Sequence, residues 1–529
     1  MIQTALVLGN GTCAREVAGE LLALGMDVLL AAAENSVPVE PAGGDQARRQ
    51  LTCFQKAVLN DFRGTVGNFA VSLTVDGRRV DQRVGAVVIA EADVIQATHD
   101  VYGLQLGPGV AALSELSPPA NSPAVRALDD GKHLEGVRTA VFISGLARES
   151  SPSVTRRVME CACRLQVERG VQTFVLAGNL KVAGEGLEAL CRRAKEAGTV
   201  FVKFDDDLPR FHQASDGKVT IEFEDPIMKA PCRLRPDLCI ADEIISPSPH
   251  LARLAETLRI DAGPDGFLQT DNVHRQTVFT LRKGVLAVGP ARCAQSAGDH
   301  AIDARNAALA VYGLLNPVGE GPFPKAEIDK GSCIRCLTCF RLCPYRAVEV
   351  AQRVSVAHDA CEGCGICAAE CPREAIRIEG LSKEEIASRL TPPEARPVSP
   401  VPHIVAFCCS RSAAKAARGA ACAGYALPAG LTIVEVPCAG AISLNHLLTA
   451  YRKGVDGVVV MTCHTDNCHS EHGNAHAHMR VGHLAKQLEL IGLAPQRLQT
   501  ASLAANMGRE FSDIVLGFEA GLTGSLKTS

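Results

Sequence analysis

The chain has 529 residues, 47% of them apolar, and its 54 basic and 58 acidic residues leave a net charge of −4. That length accommodates three or four domains of about 100–200 residues, and the apolar share excludes a disordered chain. The near-balanced charge excludes a general nucleic-acid binder, and no apolar run approaches the ~20 residues needed to span a bilayer. "MIQTALVLGNG" enters a strand directly, without the basic stretch and cleavage site of a secretion signal. Twenty-two cysteines, several in tight runs, point to metal binding in a reducing cytoplasm rather than to a disulfide framework.

Residues 1 to about 320 read as α/β. Strands are predicted at 4–9, 27–33, 69–75, 86–90, 139–144, 173–178 and 284–289, and helical periodicity covers 12–25, 153–169, 184–197 and 297–314. "VLGNGTCA" places Gly9, Gly11 and Ala14 in a G-x-G-x-x-A turn between strand and helix, a setting that brings backbone N–H groups to a pyrophosphate. The acid that such a turn wants about 20 residues later is missing, because the second strand ends Ala31-Ala32-Ala33. The turn is therefore read two ways, as a dinucleotide cradle or as a structural Rossmann turn. Cys161 and Cys163 fall on different faces of a helix and are read as core thiols. Cys13, Cys53, Cys191, Cys232, Cys239, Cys293 and Cys422 get the same reading. "NPVGEGPFP" (316–324) then closes this region.

Next come two nearly identical runs. Cys333, Cys336 and Cys339 are spaced C-x2-C-x2-C and followed by Cys343-Pro344, and Cys361, Cys364, Cys367 and Cys371-Pro372 repeat the pattern. A tight loop of this kind reaches three irons of a cubane, and the fourth iron takes its cysteine from the other run. One [4Fe-4S] cluster is assigned to Cys333, Cys336, Cys339 and Cys371, and a second to Cys361, Cys364, Cys367 and Cys343. Paired structural zinc sites would show a longer gap between CxxC units. Gly363, Gly365, Ala368 and Ala369 are small enough to let backbone N–H groups approach the sulfurs. Arg335, Arg341 and Arg346 flank the first run, and Glu362 and Glu370 lie in the second, which predicts a modestly higher potential for the first cluster.

Beyond "TPPEARPVSPVP" (391–402), "HIVAFCC" (403–409), "LTIVEVPC" (431–438) and "GVVVMTC" (457–463) read as three apolar strands, each ending in cysteine. Helix-like segments between them predict a parallel, doubly wound sheet whose carboxyl edge forms the site. Cys409, Cys438 and Cys463 would share that rim with Cys468 just after it, a set suited to a [2Fe-2S] centre. Cys408 should face the other side of its strand. A zinc site drawing on His464, His469, His472, His476 or His478 is the rival reading.

Taken in order, the glycine loop, "DFRGTVGNFAVSL" (61–73), "NLKVAGEGLEALCRRAKEAGTVFVKF" (179–204), "GFLQTDNVHRQTVFTLRKGVLAVGP" (266–290) and the double cysteine run resemble the A subunits of heterodisulfide reductases. "FCCSRSAAKAA", "VPCAG" and "CHTDNCHSEHGN" resemble the methyl-viologen-reducing hydrogenase delta subunit. The fusion, with its Cys-Cys-x-x-Ser start, is similar to the B subunits of quinone-interacting membrane-bound oxidoreductases.

The resemblance implies an α/β multidomain chain with a thioredoxin-reductase-like (Rossmann-type) region. Its FAD-binding-like domain would be built from 1–120 plus 243–315, with a second Rossmann-like domain, 121–242, inserted. A 2x[4Fe-4S] ferredoxin domain (325–380), a proline-rich linker (381–402) and a C-terminal doubly wound iron–sulfur domain like the hydrogenase delta subunit (403–522) follow. Gly9, Gly11, Ala14 and Gly289 would be the FAD contacts. Ala32, Ala90-Glu91-Ala92 and Pro290 replace residues that contact the flavin in the family, each removing a contact, and Ser412 stands where the delta subunit has a further cysteine.

The reading that follows is an electron-transfer subunit in the cytoplasm, with two [4Fe-4S] clusters and a [2Fe-2S] centre. It would work inside a multi-subunit oxidoreductase with flavoprotein and quinone-reactive partners, meeting the membrane only through them. A flavoenzyme using its own FAD, and an assembly scaffold with structural clusters, are the alternatives.

Overall fold

The computed structural model describes residues 1–34, 50–117, 134–180, 182–205, 207–269, 277–317, 319, 324–390 and 401–526. The expected boundary at 120/121 and the linker residues 391–400 lie outside the described residues. So do parts of the 266–290 and 316–324 segments.

Thr4–Leu8 is the middle strand of a five-stranded parallel sheet in the order 285–287, 86–89, 4–8, 27–31, 51–54. Ala86–Ile89 is buried at every position, as expected of a strand with both faces of its sheet covered. Helices Thr12–Ala23 and Ala297–Leu315 pack on each other, the second opened by a Ser296/Asp299 capping box. An antiparallel meander, Ala57–Thr65, Asn68–Val75 and Arg78–Val84, adds Leu59, Phe62, Phe69 and Leu73 to the same core. Only its middle strand is predicted from sequence. The outer strand Arg78–Val84 is largely polar, with alternate residues exposed.

The second sheet repeats the plan in the order 200–203, 172–177, 139–144, 238–241, 110–112, again all parallel. Its long helix, Pro152–Arg169, starts at a Ser151 cap with proline at the first position and stops at left-handed Gly170. The chain leaves the first sheet along Val94–Ala97 and returns along Glu243–Ser246, and these two crossings pair with each other. Val110–Ala112, which a boundary at 120 would put in the first domain, therefore belongs to the second sheet. Three residues are too few to show a strand period.

The C-terminal sheet has the order 431–436, 404–409, 457–462, 498–502, all parallel. Its fourth strand, "LQTAS", is too polar to stand out in the sequence. Helices Ala413–Cys422 and Gly508–Leu526 cover one face, and Gly473–Leu490 packs on the other side with Leu444–Arg452. The start of the expected linker is ordered: Lys383–Arg389 is a helix with a Ser382/Glu385 capping box, and Ile386 and Leu390 are buried. The prolines that suggested an extended segment begin only at 392.

Of the cysteines read as core thiols, Cys13, Cys161, Cys191 and Cys239 are buried and Cys163, Cys232 and Cys293 half-buried. Cys53 and Cys422 are exposed instead. Cys53 lies on an edge strand, and Cys422 ends a helix on its outer side.

Candidate metal centres

The ferredoxin module consists of two short helices, Thr338–Leu342 and Ile366–Ala369, packed together, with the strand pairs 327–328/376–377 and 348–350/354–356. Wrapping C-x2-C-x2-C forces the same left-handed backbone at equivalent places. Arg335 and Leu337 take φ of 57° and 61° in the first run, and Gly363 and Gly365 take 65° and 82° in the second. The loop demands that conformation whether or not glycine occupies it. Glycine in the second run has a further cause: a Cβ on Gly365 would lie 2.5 Å from the Cβ of Ala441 in the C-terminal domain. Its smallness therefore serves domain packing, while Gly363 N–H points at Cys361 Sγ, 3.4 Å away.

The thiols gather in crossed sets. Burial raises the Cys339 thiol, and Cys333, Cys336 and Cys371 raise it further by charge. Burial likewise raises Cys364 well above its ordinary value, with Cys367, Cys343 and Cys361 adding to the shift. Cys333, Cys336, Cys339 and Cys371 also line one small cavity with Ile328, Leu337 and Val354. Ala347 N–H donates to Cys343 Sγ at 3.4 Å and Ala375 N–H to Cys371 Sγ at 3.3 Å, each four residues downstream. Thiolate-only donor sets with backbone N–H groups on the sulfurs fit iron–sulfur clusters.

The flanking charges depart from expectation. Arg346 is near enough to the buried Arg282 of the N-terminal region for its charge to help lower the Arg282 pKa. Glu362 pairs with Lys283 at 3.0 Å and Glu370 with Arg480 at 2.7 Å. Most of the acidic contrast between the runs is thus neutralised.

At the C-terminal sheet, Cys409 ends the first strand and Cys463 follows the third. In the order 2-1-3-4 these neighbours flank the crevice where the winding direction reverses. Their sulfurs are 3.6 Å apart. Cys468 hydrogen-bonds with Cys438 and Cys463, which joins the four thiols into one group, and all four are buried. The bond to Cys438 is the main cause pushing the Cys468 thiol up to about 11. The Ser412 side chain lies beside Cys409 and Cys463. Cys408 faces the opposite layer, with its sulfur near Ala406 O and 4.0 Å from Met461 Sδ.

Two residues that cysteine spacing does not single out, although they close the "CHTDNCHSEHGN" stretch, complete this pocket. Gly473 opens the helix Gly473–Leu490, and a Cβ there would sit 2.3 Å from Cys438 Sγ. Glycine is required, and it brings the positive end of an 18-residue helix onto the sulfurs. Asn474 turns its backbone N–H toward Cys468 and donates its side-chain amide to His464 O at 2.9 Å and Cys463 O at 3.3 Å. The histidines of this loop have other partners. His478 binds Thr500 Oγ1 at 2.9 Å, His476 lies 3.6 Å from Glu370, and His464 Nε2 meets Met507 Sδ. Among the described residues no three His, Cys, Asp or Glu side chains are placed to hold a single metal ion.

The ferredoxin module is wedged against this rim. Ile366, between Cys364 and Cys367, fills the space at Gly440, where a Cβ would lie 2.8 Å from its side chain, and reaches as far as Gly473. Tyr345 is buried with its hydroxyl 3.1 Å from Ser470 Oγ, and it feels the charge of both Cys364 and Cys438. Arg480, also buried, bonds Glu370 and donates to Gly440 O at 2.6 Å.

The N-terminal sheet edge holds Gly9, Gly11, Ala14 and Gly289. Gly9 has φ 148°, and a Cβ there would lie 2.2 Å from Ala90 O; at Gly289, φ 55°, it would lie 2.5 Å from Cys13 Sγ. Helix Thr12–Ala23 starts at Gly11 without a side-chain cap, which leaves N–H groups for a phosphate. Ala14 and Ala32 are fully buried and offer no polar atom. Glu91 is buried, and burial raises its carboxyl. Gly289 N–H is already taken by Asp303, which also pairs with Arg292. The phosphate end of a dinucleotide fits, and the ribose and ribityl ends find no partner among the expected residues.

Residues 404–524 match the family model described as methyl-viologen-reducing hydrogenase, delta subunit. The iron–sulfur D subunit of an F420-non-reducing hydrogenase from Archaeoglobus profundus is 32% identical over 119 residues, 22% of this chain and 87% of that one. Through this domain the chain belongs to the hydrogenase delta-subunit family. Ahead of it, residues 326–378 match a 4Fe-4S dicluster domain. The A subunit of the ferredoxin:CoB-CoM heterodisulfide reductase from Methanosarcina mazei is 25% identical over 345 residues, 64% of this chain. The match covers 43% of that relative, so the chain spans less than half its length. A thioredoxin reductase structure from T. acidophilum is covered to 98% by 59% of this chain, at 14% identity and a TM-score of 0.38. The chain thus joins an iron–sulfur region like that of heterodisulfide reductase A subunits to a hydrogenase delta-type domain. Among the described residues no helix is long and apolar enough to cross a membrane.

Proposed function

We propose that this chain is an electron-relay component of a multi-subunit oxidoreductase, of heterodisulfide-reductase-like or quinone-interacting type. Cys333, Cys336, Cys339 and Cys371 would hold one [4Fe-4S] cluster, and Cys361, Cys364, Cys367 and Cys343 a second. Cys409, Cys438, Cys463 and Cys468 would hold a [2Fe-2S] centre. Clusters of these kinds take up and release single electrons. The protein supplies the rest. Backbone N–H groups and the Gly473 helix end stabilise negative charge on the sulfurs, and burial excludes water. Ile366 and Tyr345 hold the two sulfur-rich regions in contact. That contact is the observation carrying the relay reading: Ile366, flanked by cysteines of the second run, packs directly on Gly473 beside Cys438. Substrate or quinone chemistry would lie on partner subunits, which would also make any contact with the membrane.

The test is metal analysis of the intact chain purified anaerobically. About ten irons per chain are expected, from two cubanes and one binuclear centre. Cys463→Ser should lower this to about eight with both cubane signals retained, and Cys408→Ser should leave about ten. Zinc with no labile sulfide at the C-terminal rim would refute the third centre. The uncapped helix at Gly11 favours a second reading, a flavoenzyme using its own FAD. Oxidation of reduced nicotinamide by the isolated chain would establish it.

A further inference from the structure

Among the described residues six helices open on serine, and one of those serines does not cap its helix. Ser151, Ser248, Ser296, Ser382 and Ser443 each accept a backbone N–H of the first turn, with ψ between 138° and 166°. Ser412, ahead of Ala413–Cys422, has ψ −81° and makes no such bond. The turn out of the preceding strand is tight there, with Ser412 N–H donating to Cys409 O at 3.2 Å. The Ser412 side chain is 1% exposed, and among the described residues its Oγ has no nitrogen or oxygen partner. It lies instead beside the Cys409 and Cys463 sulfurs, which are 3.6 Å apart.

A buried hydroxyl left without a partner costs free energy, and serine at a helix start normally turns its oxygen to the helix. Ser412 does neither unless a strong acceptor occupies the pocket. A neutral thiol accepts weakly, whereas a metal-bound thiolate carries negative charge and accepts strongly. We propose that the Ser412 hydroxyl donates to the Cys409/Cys463 thiolate pair and raises the reduction potential of the C-terminal centre, an inference that rests on the reading of this rim as a [2Fe-2S] site. A donor on sulfur favours the reduced form, which is the more negative one. The other two cysteines have their own positive groups. Cys438 and Cys468 meet the Gly473 helix end, the Asn474 N–H and the Arg480 charge. Ser412 provides the corresponding donor on the side of Cys409 and Cys463.

The experiment compares the full chain, purified anaerobically, with Ser412→Ala, Ser412→Thr and, as a helix-cap control, Ser296→Ala. Ser412→Ala should keep about ten irons per chain. A redox titration followed by EPR should show its C-terminal centre roughly tenfold harder to reduce, which is about 59 mV for a one-electron couple. Both cubane midpoints should stay where they are. Ser412→Thr keeps the hydroxyl and should return the midpoint to the wild-type value. In deuterated buffer, pulsed EPR of the reduced wild type should show an exchangeable proton coupled to this centre that Ser412→Ala lacks. Ser296 does cap its helix, so Ser296→Ala should lower Tm and move no midpoint, which separates a cap from a sulfur donor. An unmoved midpoint or an unchanged proton coupling in Ser412→Ala, at about ten irons, would overturn the proposal and leave the three-centre reading standing. About eight irons in the wild type would overturn that reading, and the proposal with it.

Discussion

Two parallel-sheet edges in this chain use one device for different chemistry. At both, a strand ends at a turn, a helix N-terminus points into the crevice, and a glycine permits an approach that no Cβ would allow. At the N-terminal edge Gly9 lets the chain press against Ala90, and Gly289 makes room for the Cys13 thiol. At the C-terminal edge Gly473 makes room for the Cys438 thiol. The first edge is filled with its own apolar atoms and a committed Asp303. The second is lined with four thiols. The backbone offers the crevice, and the side chains at a handful of positions decide whether it holds anything.

That contrast can be broken outright by cofactor analysis. Flavin released by acid from anaerobically purified protein should be well below one per chain, while iron is near ten per chain. A full equivalent of tightly held FAD would show that residues other than Ala32, Glu91 and Pro290 make the missing contacts.

Matched glycine substitutions sharpen it. Gly473→Ala and Gly9→Ala each force a methyl into a filled space, at a cost of about 1–3 kcal/mol in folding stability. Only Gly473→Ala should also reduce iron, to about eight per chain, because its methyl meets the Cys438 sulfur. Iron loss in Gly9→Ala would mean that the two edges are coupled.

Arg480→Met probes the wedge between the module and the rim. It leaves Glu370 half-buried without its partner, and a pair of this kind costs about 3 kcal/mol to break. Arg480 also places positive charge near Cys438, so its removal should lower the midpoint potential of the C-terminal centre in a redox titration. An unchanged potential would confine Arg480 to packing.

The smallest effect concerns His446, whose Nε2 meets Leu381 O at 2.9 Å across the same interface. Burial lowers its pKa, with nearby Arg480 acting in the same direction and the Leu381 carbonyl opposing. The folded state therefore favours the neutral ring, and the unfolded chain binds the extra proton as pH falls through about 6.5. Stability should be full above that value and decline below it, read as a falling Tm. His446→Gln should flatten part of the decline, and an identical profile would remove His446 from the account.

Much of the fold is legible in the sequence. The strands of the three parallel sheets that are mostly apolar, such as 86–89, 139–144 and 457–462, announce themselves because both their faces are buried. The doubled cysteine spacing marks the dicluster module, and cysteines at the ends of apolar strands mark the rim. Short or polar elements were not legible. Val110–Ala112, Arg78–Val84 and Leu498–Ser502 take their place from neighbours rather than from their own pattern.

By itself the sequence determined which residue types could bind metal and at what local spacing, because loop closure around a cluster is a short-range constraint. It could not show how Gly473 and Asn474, which close the "CHTDNCHSEHGN" stretch, or Arg480 meet the rim, since a glycine, an amide and an arginine on a helix carry no periodic signal. Nor could it show that Gly365 is reserved for Ala441, or that Glu362 and Glu370 are neutralised by lysine and arginine from other domains. Those facts depend on surfaces brought together from distant parts of the chain. Close packing leaves no room there for a Cβ or an unpaired buried charge, and only the tertiary structure decides where those surfaces meet.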